Sequence, residues 1–223
     1  MTDFAAYVYY VNRPELLRRA ILALPAWHDD LTIVDNSTTG VPDLELPFTP
    51  RVYTPPIPLL YSQTMNWMLK DAQSKKVDFI AHFHSDADSA NPTAAQELLD
   101  YARRFKAEGK RWACLWSYYD IAWIVNPLAL ADIGGCDTHF RDYFTDQDLK
   151  RRWHLAGWET HDTHIQGLSH EGSATINSDR KLREINARLF TLYGAIYGTK
   201  WGGGAGEEVF THPYNNPELG LEP

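Results

Sequence analysis

The sequence predicts an α/β fold with a mostly parallel sheet flanked by helices, and three observations point to it. Strand and helix patterns alternate through the first hundred residues, which implies a sheet covered on both faces. The strand segments are short, apolar and β-rich, as in AAYVYYV at 5–11 and VDFIAHF at 77–83. Turn-forming residues close them, as in the Asp-Asn-Ser-Thr-Thr-Gly run at 35–40.

Residues 5–11 read as the first strand. A helix follows over 13–24, with Leu16, Leu17, Ala20, Ile21 and Leu24 at helical spacing and Pro14 near its start. A second strand from residue 31 runs into the turn at 35–40, completing a β-α-β unit. The Pro-rich run at 41–60 carries no distinctive pattern. Residues 58–75 read as a second helix and 77–88 as a third strand. Asn91 is placed to cap the next helix and Pro92 to open it, and the helical pattern extends to residue 110. Segments 111–120 and 121–126 read as an antiparallel strand pair. A short helix at 127–135 ends in Gly134-Gly135, and another at 144–157 ends at Gly157. Residues 158–172 look extended, 179–198 form a long amphipathic helix, and a Gly- and Pro-rich tail closes the chain. No repeat is visible.

The 223 residues suit one domain. Hydrophobic residues make up 44% and charged residues 22%, which sets the chain apart from disordered and membrane-spanning classes. Cys114 and Cys136 have no CxxC spacing and read as reduced thiols of a cytoplasmic protein. The N-terminus lacks the basic region of a signal peptide. No apolar run reaches the length of a membrane span, and no stretch stands out as a basic amphipathic segment suited to a lipid carrier, so no stable membrane insertion is expected. The net charge of −8 argues against affinity drawn from a nucleic-acid backbone. An acidic chain that binds an anion needs a local remedy, and a divalent cation held by carboxylates is one.

The most informative stretch is HFHSDADSAN at 82–91. It sets Asp86 and Asp88 one residue apart at the end of an apolar run, with His82 and His84 on one strand face. Paired carboxylates at such a strand end hold a metal or a ribose; as an isolated pattern, DAD also fits a solvated turn. His84 is expected to line a pocket and His82 to be a satisfied core histidine. Asp35 ends the second strand, where a carboxylate can meet a base or ribose or close an Asx-turn. Asn12 and Arg13 end the first strand beside the same place, and Arg13 can pair a phosphate bidentately or stand in solvent. His161 and His164, at i, i+3 in an extended segment, point to opposite faces and make a poor metal pair.

Several segments together resemble one family. YYVNRPELLRRAILAL, LTIVDNSTTG, SDAD, IGGCDTHFRDYFTDQDLKRRWHLAGW, GLSHEGSAT and YGTKWGGGAGEEVFTHPY are similar, in that order, to the opening strand and helix, nucleoside aspartate, DXD motif, Gly-Gly turn with acidic helix start, metal-directed histidine and C-terminal tail of the GT-A-fold glycosyltransferases, specifically inverting family 2. The resemblance spans nearly the whole chain. It departs at Thr145, where the family carries glutamate before the aspartate that is here Asp146.

That resemblance implies transfer of a sugar from a nucleoside diphosphate, UDP as the common choice, to an acceptor hydroxyl on a saccharide, small molecule, protein or modified DNA base. It implies a GT-A (Rossmann-like) domain over 1–223, with a nucleotide-sugar half at 1–90, an acceptor half at 91–178 and a C-terminal helix and tail at 179–223. Mn2+ or Mg2+ would neutralise the diphosphate, with Asp88 and His170 as ligands and Asp86, Asp35, Asn12 and Arg13 on the nucleotide. Asp146 is the expected general base, ahead of Asp148, which can instead hold Arg151 or Arg152. Trp116 and Tyr118 are offered for stacking on the acceptor. Gly134 and Gly135 would allow close approach of backbone to sugar. KWGGGAGEE reads as a lid carrying Lys200 and Trp201, or as a linker. A sugar nucleotidyltransferase and a non-catalytic binding module remain alternatives; the first usually has a Gly-rich loop where this chain has YVNRPELL.

Overall fold

The computed structural model describes residues 2–117, 121–172, 174–177 and 180–219. Its centre is a seven-stranded mixed sheet. The chain lays down β1 (Phe4–Tyr10), β2 (Leu31–Asp35) and β3 (Arg51–Tyr53) outward in one direction, then returns to place β4 (Phe79–His84) on the other side of β1. Beyond β4 come β7 (Ala122–Val125), β6 (Trp112–Ser117) and β8 (Glu159–Asp162), giving the order β3-β2-β1-β4-β7-β6-β8. Only β7 runs against the rest. The expected antiparallel pair is therefore β6 and β7, with Trp116 opposite Trp123.

Helices cover both faces, as apolar residues on alternate sides of each strand require. Val8, Ile33 and Phe83 pack with Leu17 and Ile21 of α1 (Pro14–Ala23) and Leu98 and Leu99 of α3 (Ala94–Ala107). Their neighbours Tyr7, Val34 and Ile80 face Met65 and Met68 of α2 (Tyr61–Lys75), Leu130 of α4 (Pro127–Asp132), and Leu149 and Trp153 of α5 (Thr145–Leu155). Asn126 caps α4, its side chain accepting from Leu128 N at 3.0 Å, with Pro127 at the first helical position.

Two elements differ from the sequence reading. The featureless 41–60 stretch contains β3, an exposed edge strand paired with β2 through Val34 and Tyr53; its amphipathic signal is weak because neither face is fully buried. The strand expected over 77–88 breaks at His84. After a turn at 85–86 the chain enters β5 (Ala87–Ser89), which pairs antiparallel with β9 (Leu168–His170) in a separate two-stranded ribbon. The short α6 (Ala174–Asn177) and the long α7 (Arg180–Trp201) follow. The C-terminal half of α7 is seated by Tyr193, Tyr197 and Trp201 around Phe140.

Candidate active site

The strand order reverses between β1 and β4, and open α/β sheets bind ligands in the crevice beyond the carboxyl ends of the strands at such a point. The ends of β1, β2 and β4 bring Asn12, Arg13, Asp35, His84 and Asp86 to that edge. Asn12 adopts a left-handed conformation, φ +50°, which asparagine tolerates. Its Oδ1 accepts from Thr38 N at 2.8 Å and from the Thr38 hydroxyl at 3.2 Å, tying the loop after β1 to the loop after β2. Arg13 is paired with Glu15. Asp35 is buried; its Oδ1 accepts from Ser37 N at 2.9 Å and Ser37 Oγ at 2.6 Å, and its Oδ2 from Thr54 Oγ1 at 3.3 Å. The Asx-turn reading of Asp35 is thus realised.

Asn36 carries a role that sequence reasoning missed. Its amide brackets Leu59, donating to the carbonyl at 2.8 Å and accepting from the N–H at 3.0 Å, which fastens the far end of the Pro-rich segment to β2. A polar turn residue gives no local sign of a partner so far along the chain.

Three imidazoles line up along the end of β4. His82 is fully buried, and its Nδ1 accepts from Trp123 Nε1 at 2.6 Å. Burial first, and the neighbouring His84 second, hold its pKa well below the ordinary histidine value, so its ring is neutral. Its Nε2 has no partner among the described residues. His84 stands 5.8 Å from His82, centroid to centroid, and stacks on His170 at 6.2 Å with planes 19° apart. Tyr61, the first residue of α2, sets its ring edge-on to both His82 and His84.

The structure separates the two aspartates of the DAD run. Asp86 is 6% exposed at the end of β4, and its Oδ2 accepts from Ala174 N at 3.1 Å. Asp88 lies in β5 opposite Ser169, while Ala87 lies opposite His170. Side chains alternate across a ribbon, so Asp88 and His170 sit on opposite faces. Asp88 is turned toward α1, its Oδ2 3.5 Å from Arg19 Nε, and Arg19 Nη1 donates to Glu171 at 2.5 Å. The expectation of Asp88 and His170 on one ion is therefore not met by this arrangement.

Among the described residues no three His, Cys, Asp or Glu side chains gather as an ion cage. The donor chemistry suits a hard cation nonetheless, because a buried carboxylate, Asp86, ends this edge. Mg2+-type sites commonly use one or two carboxylates and take their remaining oxygens from substrate phosphates and water. The residues thus fit an ion that arrives with a diphosphate.

The second carboxylate centre is the first turn of α5. Phe144 precedes it at φ +64°, a left-handed turn held by its packing on Phe190 and Tyr197 of α7. Thr145, the residue that departs from the family pattern, is buried and donates its hydroxyl to Phe140 O at 3.3 Å. Asp146 is 8% exposed and accepts from Gln147 Nε2 at 2.9 Å. Asp148 is 0% exposed and is the hub of a network: Arg152 Nε donates to it at 2.7 Å, Lys200 Nζ at 2.7 Å and Trp201 Nε1 at 2.9 Å. The same Arg152 donates to Ile133 O and Gly135 O, which locks the glycine turn to α5. A Cβ on Gly135 would stand 2.4 Å from Asn66 Oδ1, so the close approach this glycine allows is to Asn66, which brackets Cys136 N and O at 2.7 and 3.0 Å.

The α2 N-terminus joins the two centres. Tyr61 touches the histidine row, and Ser62 N donates to Arg141 O in the segment leading to α5. Trp116 is half-buried near the end of β6 with Lys150 Nζ 4.4 Å above its ring. Tyr118 lies outside the described residues. His161 and His164 pair separately with Glu159 and Asp162.

Lys200 and Trp201 are interior side chains. Lys200 is 6% exposed between Asp137 and Asp148, 2.7 Å from each, and Trp201 is fully buried. The glycines after them form a packed turn. Val209 N and Phe210 N both donate to Trp201 O, and a Cβ on Gly203 would meet Glu207 O at 2.2 Å. The lid reading is corrected on this ground, because both side chains are spent on interior carboxylates.

Burial alone would raise the Asp137 carboxyl, but the bonds from Lys200 and from His139 outweigh it and depress the pKa from 3.8 to about 2. A depressed carboxylate pKa contributes stability above its unfolded value and loses it as pH falls through the folded one. The depression corresponds to about 2 kcal/mol, present above about pH 4 and lost toward pH 2. Acid titration of unfolding free energy is expected to show this loss, and Asp137→Asn to remove most of it.

No family model matches the chain, and no curated protein matches it in sequence. Solved structures do match it in shape. A mannosyltransferase from Pyrobaculum calidifontis, in complex with GDP-Man and Mn2+, is 12% identical with a TM-score of 0.59 over 86% of this chain; this chain spans 64% of that one. Glucosyl-3-phosphoglycerate synthase from Mycobacterium tuberculosis, in complex with Mn2+, UDP-Glc and phosphoglyceric acid, is 12% identical with a TM-score of 0.54, covering 84% of this chain and 78% of that one. A cytidylyltransferase from Leptospira borgpetersenii is 10% identical with a TM-score of 0.51, covering 85% and 97%. This chain thus has the GT-A fold that its sequence resembles.

Proposed function

We propose that this chain is a glycosyltransferase that moves a sugar, with inversion, from a nucleoside-diphosphate donor to an acceptor hydroxyl, in the manner of family 2. The observation that carries the reading is the pair of buried carboxylates, Asp86 and Asp146, on elements that meet around the start of α2. The crystallised neighbours hold GDP-Man or UDP-Glc with Mn2+, which supports a nucleotide-sugar donor here; UDP is our choice of nucleotide.

In this reading the base and ribose lie beyond β1 and β2, against Asp35 and Asn12, with Arg13 free to leave Glu15 for phosphate. A divalent cation, Mn2+ or Mg2+, neutralises the diphosphate leaving group when bound. Asp86 is the residue we place against it, with His170 at the same edge; Asp88 balances Arg19. Asp146 accepts the proton of the acceptor hydroxyl, as a single displacement requires of one carboxylate. Trp116 offers aromatic surface to the acceptor, and Tyr118 is kept as a candidate from its sequence position alone. Buried Cys114 and Cys136 form no disulfide, in keeping with a reducing, cytoplasmic setting. A nucleotidyltransferase reading is weaker, since the loop after β1 has no glycine.

Calorimetric titration with nucleoside diphosphates, with and without Mn2+, tests the reading. UDP is expected to bind best and only with metal, and Asp86→Ala to weaken it at least tenfold, about 1.4 kcal/mol. Asp88→Ala should weaken it less. Absence of binding by any nucleotide to folded protein would sink the proposal.

A further inference from the structure

No basic amphipathic segment stands out in the sequence, but the structure sets apolar and basic side chains of α7 side by side at the surface. From Arg180 to Leu192 its described side chains are exposed or half-exposed, and this half of the helix touches the body on one side only, through Asn186, Leu189 and Phe190. Ile185, Leu189, Leu192 and Ile196 recur at i, i+4, i+7 and i+11, which aligns them in one stripe. Ile185 and Leu192 are among the exposed large apolar residues of the chain, as is Tyr214, which borders the same stripe beside Ile196. At a rise of 1.5 Å per residue the stripe is about 17 Å long. Its inner members Leu189 and Ile196 are half-buried against Tyr193, Tyr197 and Trp201, which leaves Ile185 and Leu192 as the apolar side chains it presents outward.

Charge decides what fits it. In a chain of net charge −8, this half-helix carries Arg180, Lys181, Arg183 and Arg188 against Glu184 alone, and Glu184 is taken by Arg180 at 2.9 Å. Lys181 and Arg188 lie one turn before and one turn after Ile185, along the edge of the apolar stripe. An apolar stripe bordered by lysine and arginine is the surface of a helix that lies in the headgroup layer of an anionic bilayer, its apolar side chains inserted shallowly. A second copy of the chain suits it less. A stripe one side chain wide is far below the roughly 800 Å² per partner of a stable interface. A self-complementary contact would also bring two such basic edges into one interface.

We propose that α7 is a surface-docking helix that holds this protein on anionic membranes through the Ile185–Ile196 stripe and its basic edge. No helix of the described residues is long and apolar enough to cross a membrane, so the attachment is peripheral. The docking stands apart from the transferase reading. If both hold, the bilayer lies beside the acceptor side of the site, because Phe190 of the same helix packs on Tyr143 and Phe144, next to Asp146.

The test is co-sedimentation of the full chain with vesicles of phosphatidylcholine alone and with phosphatidylglycerol added, alongside a DNA duplex and sizing in solution. Binding is expected only to the anionic vesicles and is expected to weaken with salt. Lys181→Gln and Arg188→Gln should each weaken it about fivefold. Leu192→Asp, at an exposed position, should abolish it without changing thermal unfolding. Three results overturn the proposal: no binding to anionic vesicles; DNA binding that matches vesicle binding and ignores Leu192→Asp, which marks a plain polyanion patch; or a dimer that Leu192→Asp dissociates while vesicles fail to bind. Loss of sugar transfer with intact vesicle binding would count against the function proposed above and leave this one standing.

Discussion

Asp146→Asn is expected to lower sugar transfer by about 10²- to 10⁴-fold while leaving nucleotide binding unchanged. The amide keeps the shape of the carboxylate and its place in the first turn of α5, but it cannot take a proton. Asp146 is buried and accepts from the Gln147 amide, a bond that an asparagine carbonyl can also accept, so the helix start is expected to keep its fold. The comparison that matters is with Asp148→Asn. Asp148 accepts from Arg152, Lys200 and Trp201 and is closed off from solvent, so its substitution should act on stability. Turnover measured at saturating donor, beside calorimetric donor affinity, separates the two. Equal activity in the wild-type protein and Asp146→Asn would remove Asp146 from the chemistry and return the question to other acidic groups of the segment before α5.

Lys200→Met is expected to destabilise the fold by about 3–5 kcal/mol, the range for breaking a buried pair by removing one partner. Methionine fills much of the same volume, so little of the loss comes from a cavity. It comes from Asp137 and Asp148, both 2.7 Å from the ammonium, which would each lose a charge-assisted bond. Asp148 keeps Arg152 and Trp201, which favours the lower end of the range. Urea denaturation should show the change as a shifted midpoint with an unchanged slope. Because the residues share one network, Lys200→Met combined with Asp148→Asn should cost less than the sum of the two. Additive losses would show that Lys200 acts through Asp137 alone. This network also holds α5, the helix of the proposed base, in place: α7 ends on Asp148, two residues from Asp146, so a moderate loss of activity should accompany the loss of stability.

The sequence by itself determined what local pattern can determine. Apolar runs such as 5–11 and 31–35 and the helical spacing of Leu16, Leu17, Ala20 and Ile21 specify elements buried on one or both faces, and alternation of these elements leaves few ways to stack them except around a sheet. The carboxylates at the ends of β2 and β4 and at the start of α5 were readable for the same reason, since each sits where a local pattern stops. The choice of Asp148 as a partner for Arg152 was also open to local reasoning, because i, i+4 residues meet on one helix face.

What only the tertiary structure decided concerns partners far apart in the chain. Asp86 and Asp88 look equivalent in DAD, yet pairing of β5 with β9 puts the second on the face toward Arg19 and leaves the first at the crevice. Lys200 and Trp201 look like lid residues beside a glycine run, yet α7 carries them into the interior to hold a carboxylate 52 and 53 residues earlier. The exposure of Ile185 and Leu192 follows from which face of α7 the body takes. Local spacing fixes which side chains share a face, while the direction of that face depends on contacts whose partners no short stretch of sequence contains.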